Sequence, residues 1–187
     1  MDENRVLFDY DRFLSSVNRV AEEMPQGIRL QIRTYEEMDK AELYALLHIR
    51  SQVFVVEQNC VYQDIDYHDQ TAIHLWLEHE GHIVAQCRIC PSGTKLPHLS
   101  IGRVITTVRG HGYGALIMSK AIDLARLLFP HEQGIFIESQ ATKQGFYEKL
   151  GFIARSEPFM MEGLLHLNMW LDLKYANTKL KDIYAYE

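Results

Sequence analysis

The stretch that decides the fold of this chain reads TTVRGHGYGALIM and occupies residues 106–118. It places glycines at every second position, Gly110, Gly112 and Gly114, with Arg109 in front and an apolar run behind. Glycine allows backbone amides to approach a ligand closely. The apolar run predicts that a helix begins here, and a helix N-terminus attracts anions. We therefore predict a phosphate-binding loop.

Three kinds of phosphate loop have similar glycine spacings. A Walker loop needs a lysine followed by serine or threonine after the last glycine, and Ala115 and Leu116 stand there instead. The dinucleotide fingerprint fits Gly110-x-Gly112-x-x-Ala115, with Glu138 ending the next predicted strand. That fingerprint requires successive strand–helix–strand units, whereas the strands before this loop read as antiparallel. The third spacing is Arg109-x-x-Gly112-x-Gly114, in which glycine-exposed amides and a helix N-terminus can likewise hold phosphates.

Composition restricts the class of protein. The 187 residues, 47% of them hydrophobic, predict one domain with a sizeable core. The net charge of −6 disfavours a nucleic-acid partner and favours a cationic substrate. The sequence has no apolar run of the ~20 residues that a membrane helix needs, and its N-terminus, MDENRVLFDYDRF, does not resemble a secretory signal. We expect a cytoplasmic protein without a membrane partner.

The cysteines agree with a reducing compartment, since there are three, Cys60, Cys87 and Cys90. Cys87 and Cys90 lie three residues apart on a predicted strand, where their side chains point to opposite faces. This arrangement argues against a metal or redox pair, and we expect no metal site.

Hydrophobic periodicity orders the elements of the chain. A helix over about residues 9–24 and a break at PQG (25–27) precede a strand, a helix, three strands, a helix, a strand, a helix and two strands. Asp39 is the predicted N-cap of a helix over 39–58, and a later helix is predicted over 115–129. This order predicts an α/β (α+β) fold, a mixed central sheet of about seven strands flanked by helices.

The domain division follows from the same order. We predict an N-terminal helical extension and linker at 1–27, one domain at 28–175 and a C-terminal tail at 176–187. The extra helix covers the edge of the core or serves as a dimer arm, so a homodimer is one possible assembly.

A second motif, FYEKLGF at 146–152, follows the glycine loop by about 30 residues. Together the two motifs resemble the GNAT superfamily of N-acetyltransferases. The similarity is closest to the ElaA-like subfamily, through RSQVFVVEQNCVYQDID (50–66), IGRV (101–104), IMSK (117–120) and SQA (139–141). It covers about residues 32–171 and leaves the first helix outside. The resemblance implies a GNAT fold and acetyl-CoA as cofactor.

The resemblance also implies which residues hold the coenzyme. In GNAT folds the strand before the loop offers backbone amides to pantetheine, and the loop binds pyrophosphate. The implied cofactor-binding residues are Arg103, Val104, Ile105, Thr106, Arg109, Gly110, His111, Gly112, Tyr113, Gly114, Ala115, Gln140, Phe146 and Lys149. Many GNAT members have asparagine where this chain has Gln140.

The implied reaction is acyl transfer from a thioester to an amine, which requires a base and an acid. Tyr147 matches the GNAT tyrosine, and a phenol is protonated at neutral pH, so we expect it to be the general acid. Glu138, His74 and a chain of water molecules are the candidate routes for removing the amine proton.

The acidic loop around residues 57–66 is expected to flank the acceptor site. Glu57, Tyr62, Asp64 and Asp66 are the candidate substrate residues, because acidic groups there attract a cationic amine. The alternative is a solvated loop whose aspartates form turns. Arg50, Arg88 and Arg103 are candidates for holding this loop by bidentate pairing with carboxylates.

We therefore predict an N-acetyltransferase acting on a primary amine of a small molecule or peptide. Two alternatives stay open. One is a non-catalytic acetyl-CoA-binding sensor, and the presence of Tyr147 argues against it. The other is an acyltransferase of the acyl-homoserine-lactone-synthase kind, which HIRSQVFVVEQ and DIDYHD loosely resemble; those enzymes generally lack RGHGYG.

Overall fold

The computed structural model describes residues 9–22 and 24–174. Its helices are α1 (Tyr10–Ala21), α2 (Lys40–Arg50), α3 (Tyr113–Leu128) and α4 (Gln144–Lys149). Its strands are β1 (Ile28–Thr34), β2 (Ile73–His79), β3 (His82–Cys90), β4 (Ser100–Thr106), β5 (Gly134–Gln140), β6 (Ile153–Ala154), β7 (Phe159–Met161) and β8 (Leu164–Asp172). The predicted tail at 176–187 lies outside the described residues.

The strands form one mixed sheet in the order β1-β2-β3-β4-β5-β8-β6, with β7 also paired to β8. Neighbouring strands are antiparallel except β4 and β5, which are parallel and joined by the crossover helix α3. The predicted mixed sheet with flanking helices is confirmed. The antiparallel run before the glycine loop excludes the dinucleotide fold, which needs successive parallel units.

The described sheet has eight strands rather than about seven, because the first arm of the C-terminal hairpin is divided. β6 and β7 are separated by a segment that contains Pro158. Proline has no amide hydrogen for a strand ladder, and it constrains the residue before it, so the arm splits there.

Local capping explains where two helices begin. The Asp9 side chain accepts hydrogen bonds from the amides of Asp11 and Arg12 at the start of α1. The predicted N-cap Asp39 forms a reciprocal capping box with Glu42 at the start of α2. Two predicted lengths differ from the structure: α1 ends at Ala21 rather than near residue 24, and α3 spans Tyr113–Leu128 rather than 115–129.

The helix predicted over 39–58 changes type part-way. α2 ends at Arg50 and continues as a π-helical segment, Ser51–Glu57. The amide of Gln58 donates to the carbonyl of Val53 at 3.2 Å, five residues back. Wide turns of this kind often occur at functional sites. Here the turn leads directly into the acidic loop.

The core lies between the sheet and α3. The helix is apolar on most sides because α1 covers part of the face that the sheet leaves open. The ammonium of Lys120, 8% exposed, donates to the Val20 carbonyl at 2.8 Å and so binds the end of α1 to α3. Within the described ranges, no helix is both long and apolar enough to span a membrane.

Candidate active site

A cleft opens in the middle of the sheet because β4 and β5 separate. The two parallel strands pair only where Ser100 meets Phe136. Beyond that point β4 is bent by an irregularity opposite Gln86–Arg88, and Arg103 adopts a left-handed backbone with φ 54°. The resulting cleft has a volume of about 200 Å³ and is lined along both strands.

The separation leaves one edge of β4 without a neighbouring strand. The amide of Thr107 donates to the Val84 carbonyl of β3 at 3.0 Å. Because successive peptide groups alternate between the two edges of a strand, the amide of Ile105 also points to β3. Those of Val104 and Thr106 point to the open edge, so they are the amides available to an extended ligand.

The glycine loop lies between β4 and α3. Gly112 caps the helix in a left-handed conformation, with φ 69°, and Gly110 has φ 79°. The amide of Leu116 donates to the Gly112 carbonyl at 3.0 Å. The amides of Tyr113 and Gly114 come before it in the first turn, where a helix offers no internal acceptor, so this end of α3 is suited to an anion.

The third glycine serves packing. A Cβ on Gly114 would lie 3.3 Å from Thr106 Cγ2 and 3.5 Å from the Phe146 ring. Glycine therefore lets the first turn of α3 rest against β4 and α4. Phe146 is half-buried at this contact, whereas Lys149, also predicted to bind cofactor, is exposed and lies outside the cleft lining.

Residues outside the glycine loop contact two of its side chains, Arg109 and Tyr113. Arg109 pairs with Glu57 at 2.6 Å across an exposed surface, so the two predicted site residues meet each other. His111 stacks on Tyr113 with ring centroids 5.8 Å apart. The Tyr113 hydroxyl and His79 Nδ1 are 3.1 Å apart.

Tyr147 lines the cleft from α4. Its ring makes edge contacts with Phe146 and Phe152, with centroids 4.9 and 5.8 Å away. Burial raises the pKa of the phenol above its usual value. Across the part of the chain that the structure describes, the hydroxyl has no hydrogen-bonding protein partner, so it is available to a ligand.

Glu138 lines the same cleft from β5, and Lys95 Nζ lies 3.4 Å from its Oε2. Both side chains are about three-quarters buried, with 26% and 24% exposed. His74 is placed differently. Its Nε2 lies 3.0 Å from the Asp69 carbonyl, burial lowers its pKa, and it is absent from the cleft lining. This placement argues against His74 as the base and leaves Glu138 and a chain of water molecules as the candidate routes.

A buried ion network holds the acidic loop. Arg50 contacts Asp64 Oδ2 at 2.8 Å and Asp69 Oδ1 at 2.7 Å. Arg88 contacts Asp69 at 2.7 Å and Asp66 at 2.5 Å. The prediction that these arginines hold the loop is confirmed. Burial by itself raises the pKa of Asp69, but the charges of Arg50 and Arg88 outweigh it and hold that pKa below its usual value.

Arg103 completes the network. Its guanidinium contacts Asp64 Oδ1 at 2.8 Å and Asp66 Oδ2 at 3.2 Å. The Tyr62 hydroxyl donates to Asp64 at 2.9 Å. Asp64 and Asp66 were expected to attract a cationic amine; instead their oxygens are bound by arginines. Arg103, predicted to bind cofactor, directs its guanidinium to the loop and also lines the cleft, so its contact with the coenzyme stays a prediction.

The comparisons with known proteins agree with this geometry. The family described as Acetyltransferase (GNAT) domain matches residues 31–173. The chain belongs to the GNAT acetyltransferase family. Its GNAT relatives include the protein ElaA of Escherichia coli K12, 38% identical over 139 residues, which are 72% of this chain and 90% of ElaA. The ElaA-like resemblance seen in the sequence is thereby confirmed.

Solved GNAT structures show the same architecture. The crystal structure of E. coli ElaA superposes with a TM-score of 0.72 at 36% identity, covering 78% of this chain and 99% of ElaA. An acyl-CoA N-acyltransferase from Pseudomonas aeruginosa superposes with a TM-score of 0.72 at 30% sequence identity. The match covers 77% of this chain and 99% of that protein. The CoA-dependent acyl-homoserine lactone synthase BjaI superposes with a TM-score of 0.66 at 14% sequence identity, covering 85% of this chain and 90% of BjaI. At this identity the similarity shows a shared fold alone.

Sequence reasoning missed several residues of the GNAT cleft and of the ion network beside it. Lys95, in the cleft, comes from a turn-rich loop with no periodic signal, and Asp69, in the network, follows the aspartates that were singled out. Gln58 follows the π-helical segment and accepts a hydrogen bond from the predicted residue Gln140 at 2.8 Å. The β7–β8 hairpin also contributes to the cleft, since the Cys60 thiol donates to the Glu162 carbonyl at 2.9 Å.

The remaining cysteines are free and buried. Burial raises the pKa of the Cys87 and Cys90 thiols. Neither is therefore a thiolate at neutral pH, which is the form that reacts and binds metals.

Proposed function

We propose that this GNAT chain transfers an acetyl group from acetyl-CoA to the primary amine of a small molecule or peptide. One observation supports the proposal above the others. Among the described residues, an unpaired strand edge and a phenol without a protein partner border the opening between β4 and β5, and the N-terminus of α3 follows β4 through the glycine loop.

The residues fit a pantetheine thioester. The amides of Val104 and Thr106 point to the open edge of β4, where an extended ligand adds like another strand. The amides of Tyr113 and Gly114 provide donors for a pyrophosphate. When bound, acetyl-CoA supplies an activated acetyl thioester.

The proton movements are assigned to two side chains. Glu138 Oε2 accepts a proton from the acceptor ammonium, directly or through water, because only the free amine attacks. Nitrogen then bonds to the acetyl carbon as the carbon–sulfur bond breaks, and the Tyr147 hydroxyl gives its proton to the departing sulfur. The nitrogen loses its extra proton to solvent to give the neutral amide, and the Tyr147 phenolate takes a proton back from solvent. The raised pKa of Tyr147 keeps this proton in place at neutral pH.

Calorimetric titration with acetyl-CoA, with NADH as the control ligand, tests the loop assignment. We expect heat from acetyl-CoA alone. Thiol release from acetyl-CoA is then measured with a panel of primary amines. Binding without thiol release for any amine would favour the sensor, and absence of acetyl-CoA binding would overturn the proposal.

A further inference from the structure

The charged groups around the acceptor side of the cleft form two sets. The first consists of Asp64, Asp66 and Asp69, whose carboxylates are all bound by arginines. The arginines neutralise the negative charge of this set, so none of its carboxylates is free to bind an amine. The second set is the pair Lys95–Glu138, which joins the loop before β4 to β5 inside the cleft.

The charges outside the network balance one another. Among the residues that the structure describes, two lysines and two glutamates line the cleft beyond the arginine–aspartate network, namely Lys95, Lys143, Glu138 and Glu162. Their formal sum is zero. A cleft built for a simple cation would carry excess negative charge, because complementary potential selects the partner.

We infer that the acceptor is a zwitterion, a small amino acid whose carboxylate binds Lys95 and whose ammonium meets Glu138. The inference rests on the proposed acyl transfer and names the acceptor class. Each member of a partly buried ion pair then exchanges one partner of opposite charge for another. A plain amine binding Glu138 would leave the Lys95 ammonium without its partner, which is costly where the site is partly desolvated.

The lining of the cleft restricts the amino acid further. The walls include apolar side chains from three parts of the chain, Phe54, Phe136 and Leu164. This lining favours amino acids with apolar side chains.

The test compares matched acceptors that differ only at the carboxylate. Thiol release from acetyl-CoA is measured with L-methionine, L-leucine and L-phenylalanine, and with the primary amide of each. We expect the acids to be used with kcat/KM at least about 10-fold above their amides, because a charge-assisted hydrogen bond is lost in the amide.

The variant Lys95→Met separates carboxylate binding from a role in tuning Glu138. We expect the ratio of kcat/KM for the acids to kcat/KM for the amides to fall by about 10- to 150-fold, because only the acids lose a partner for their carboxylate. Lys95→Arg, which keeps the charge, is expected to restore most of the acid preference. Lys40→Met, at an exposed position on α2, is the matched control for loss of a lysine.

Three results would overturn the inference. They are equal use of acids and amides, an equal loss with both in Lys95→Met, and no calorimetric binding of any of the three acids at millimolar concentration in the presence of CoA. If acetyl-CoA binds and amides are acetylated, the proposed function survives while the zwitterion inference fails. If acetyl-CoA does not bind, the proposed function itself fails.

Discussion

Removal of the Tyr147 hydroxyl separates catalysis from stability. The phenol ring packs against Phe146 and Phe152, and phenylalanine preserves both contacts. The hydroxyl has no protein partner among the described residues, so Tyr147→Phe breaks no internal hydrogen bond. We expect the free energy of unfolding to change by less than about 0.5 kcal/mol, which is a shift of roughly 2 °C or less in Tm for a chain of this size.

The effect on catalysis should be much larger. General-acid catalysis contributes about 100- to 10,000-fold, which corresponds to about 2.7–5.4 kcal/mol in the activation barrier. We expect kcat for thiol release from acetyl-CoA to fall by that factor while the Kd for acetyl-CoA stays within about threefold. Because burial raises the pKa of Tyr147 above about 10, its proton is retained, and kcat should show no loss from this group below about pH 10.

The assay pairs steady-state kinetics with thermal unfolding. Tyr44→Phe is the matched control, because Tyr44 is 75% exposed on α2. Unchanged kcat in Tyr147→Phe would refute the assignment of the general acid. A fall in Tm of many degrees would instead refute the view that the hydroxyl has no structural role.

Three further predictions follow from other parts of the site. Asp69→Asn should destabilise the fold by about 3–5 kcal/mol in urea unfolding, because it removes a charge shared by two buried guanidiniums. Because the pKa of Asp69 is lowered in the folded protein, its contribution to the free energy of unfolding is present above about pH 4 and is lost as the pH falls further. Equal sensitivity of the parent and the variant to acid unfolding would contradict this. Gly110→Ala and Gly81→Ala should each lower the free energy of unfolding by ~1–2 kcal/mol, because both glycines have φ 79° and open space around them. Calorimetry should show weaker acetyl-CoA binding for Gly110→Ala alone. Glu138→Gln should lower kcat by at least about 100-fold with acetyl-CoA binding retained, and a kcat within about threefold of the parent would remove Glu138 as the base.

The residues proposed to bind the coenzyme could be predicted from the sequence because they lie within short, continuous motifs. Gly110 and Gly112 lie next to the helix whose amides they expose, and Tyr147 lies within a short motif. The capping residue Asp39 acts within one helical turn, so its role was also predictable. The π-helical segment was not predictable, because the apolar pattern of residues 39–58 is compatible with a continuous α-helix.

The acceptor side required the tertiary structure. The sequence showed an acidic loop, and acidity alone suggested a site for cations. Three arginines from α2, β3 and β4 meet Asp64, Asp66 and Asp69 in space, and their charges cancel in a buried network.

The sequence by itself determined the family, the order of elements, the glycine loop and Tyr147, since each depends on neighbours along the chain. Only the tertiary structure decided which charges pair with each other. Lys95 and Glu138 are 43 residues apart, and they meet because the loop before β4 and strand β5 line the same cleft. Electrostatic pairing depends on distance in space and on burial, and neither is encoded in local spacing.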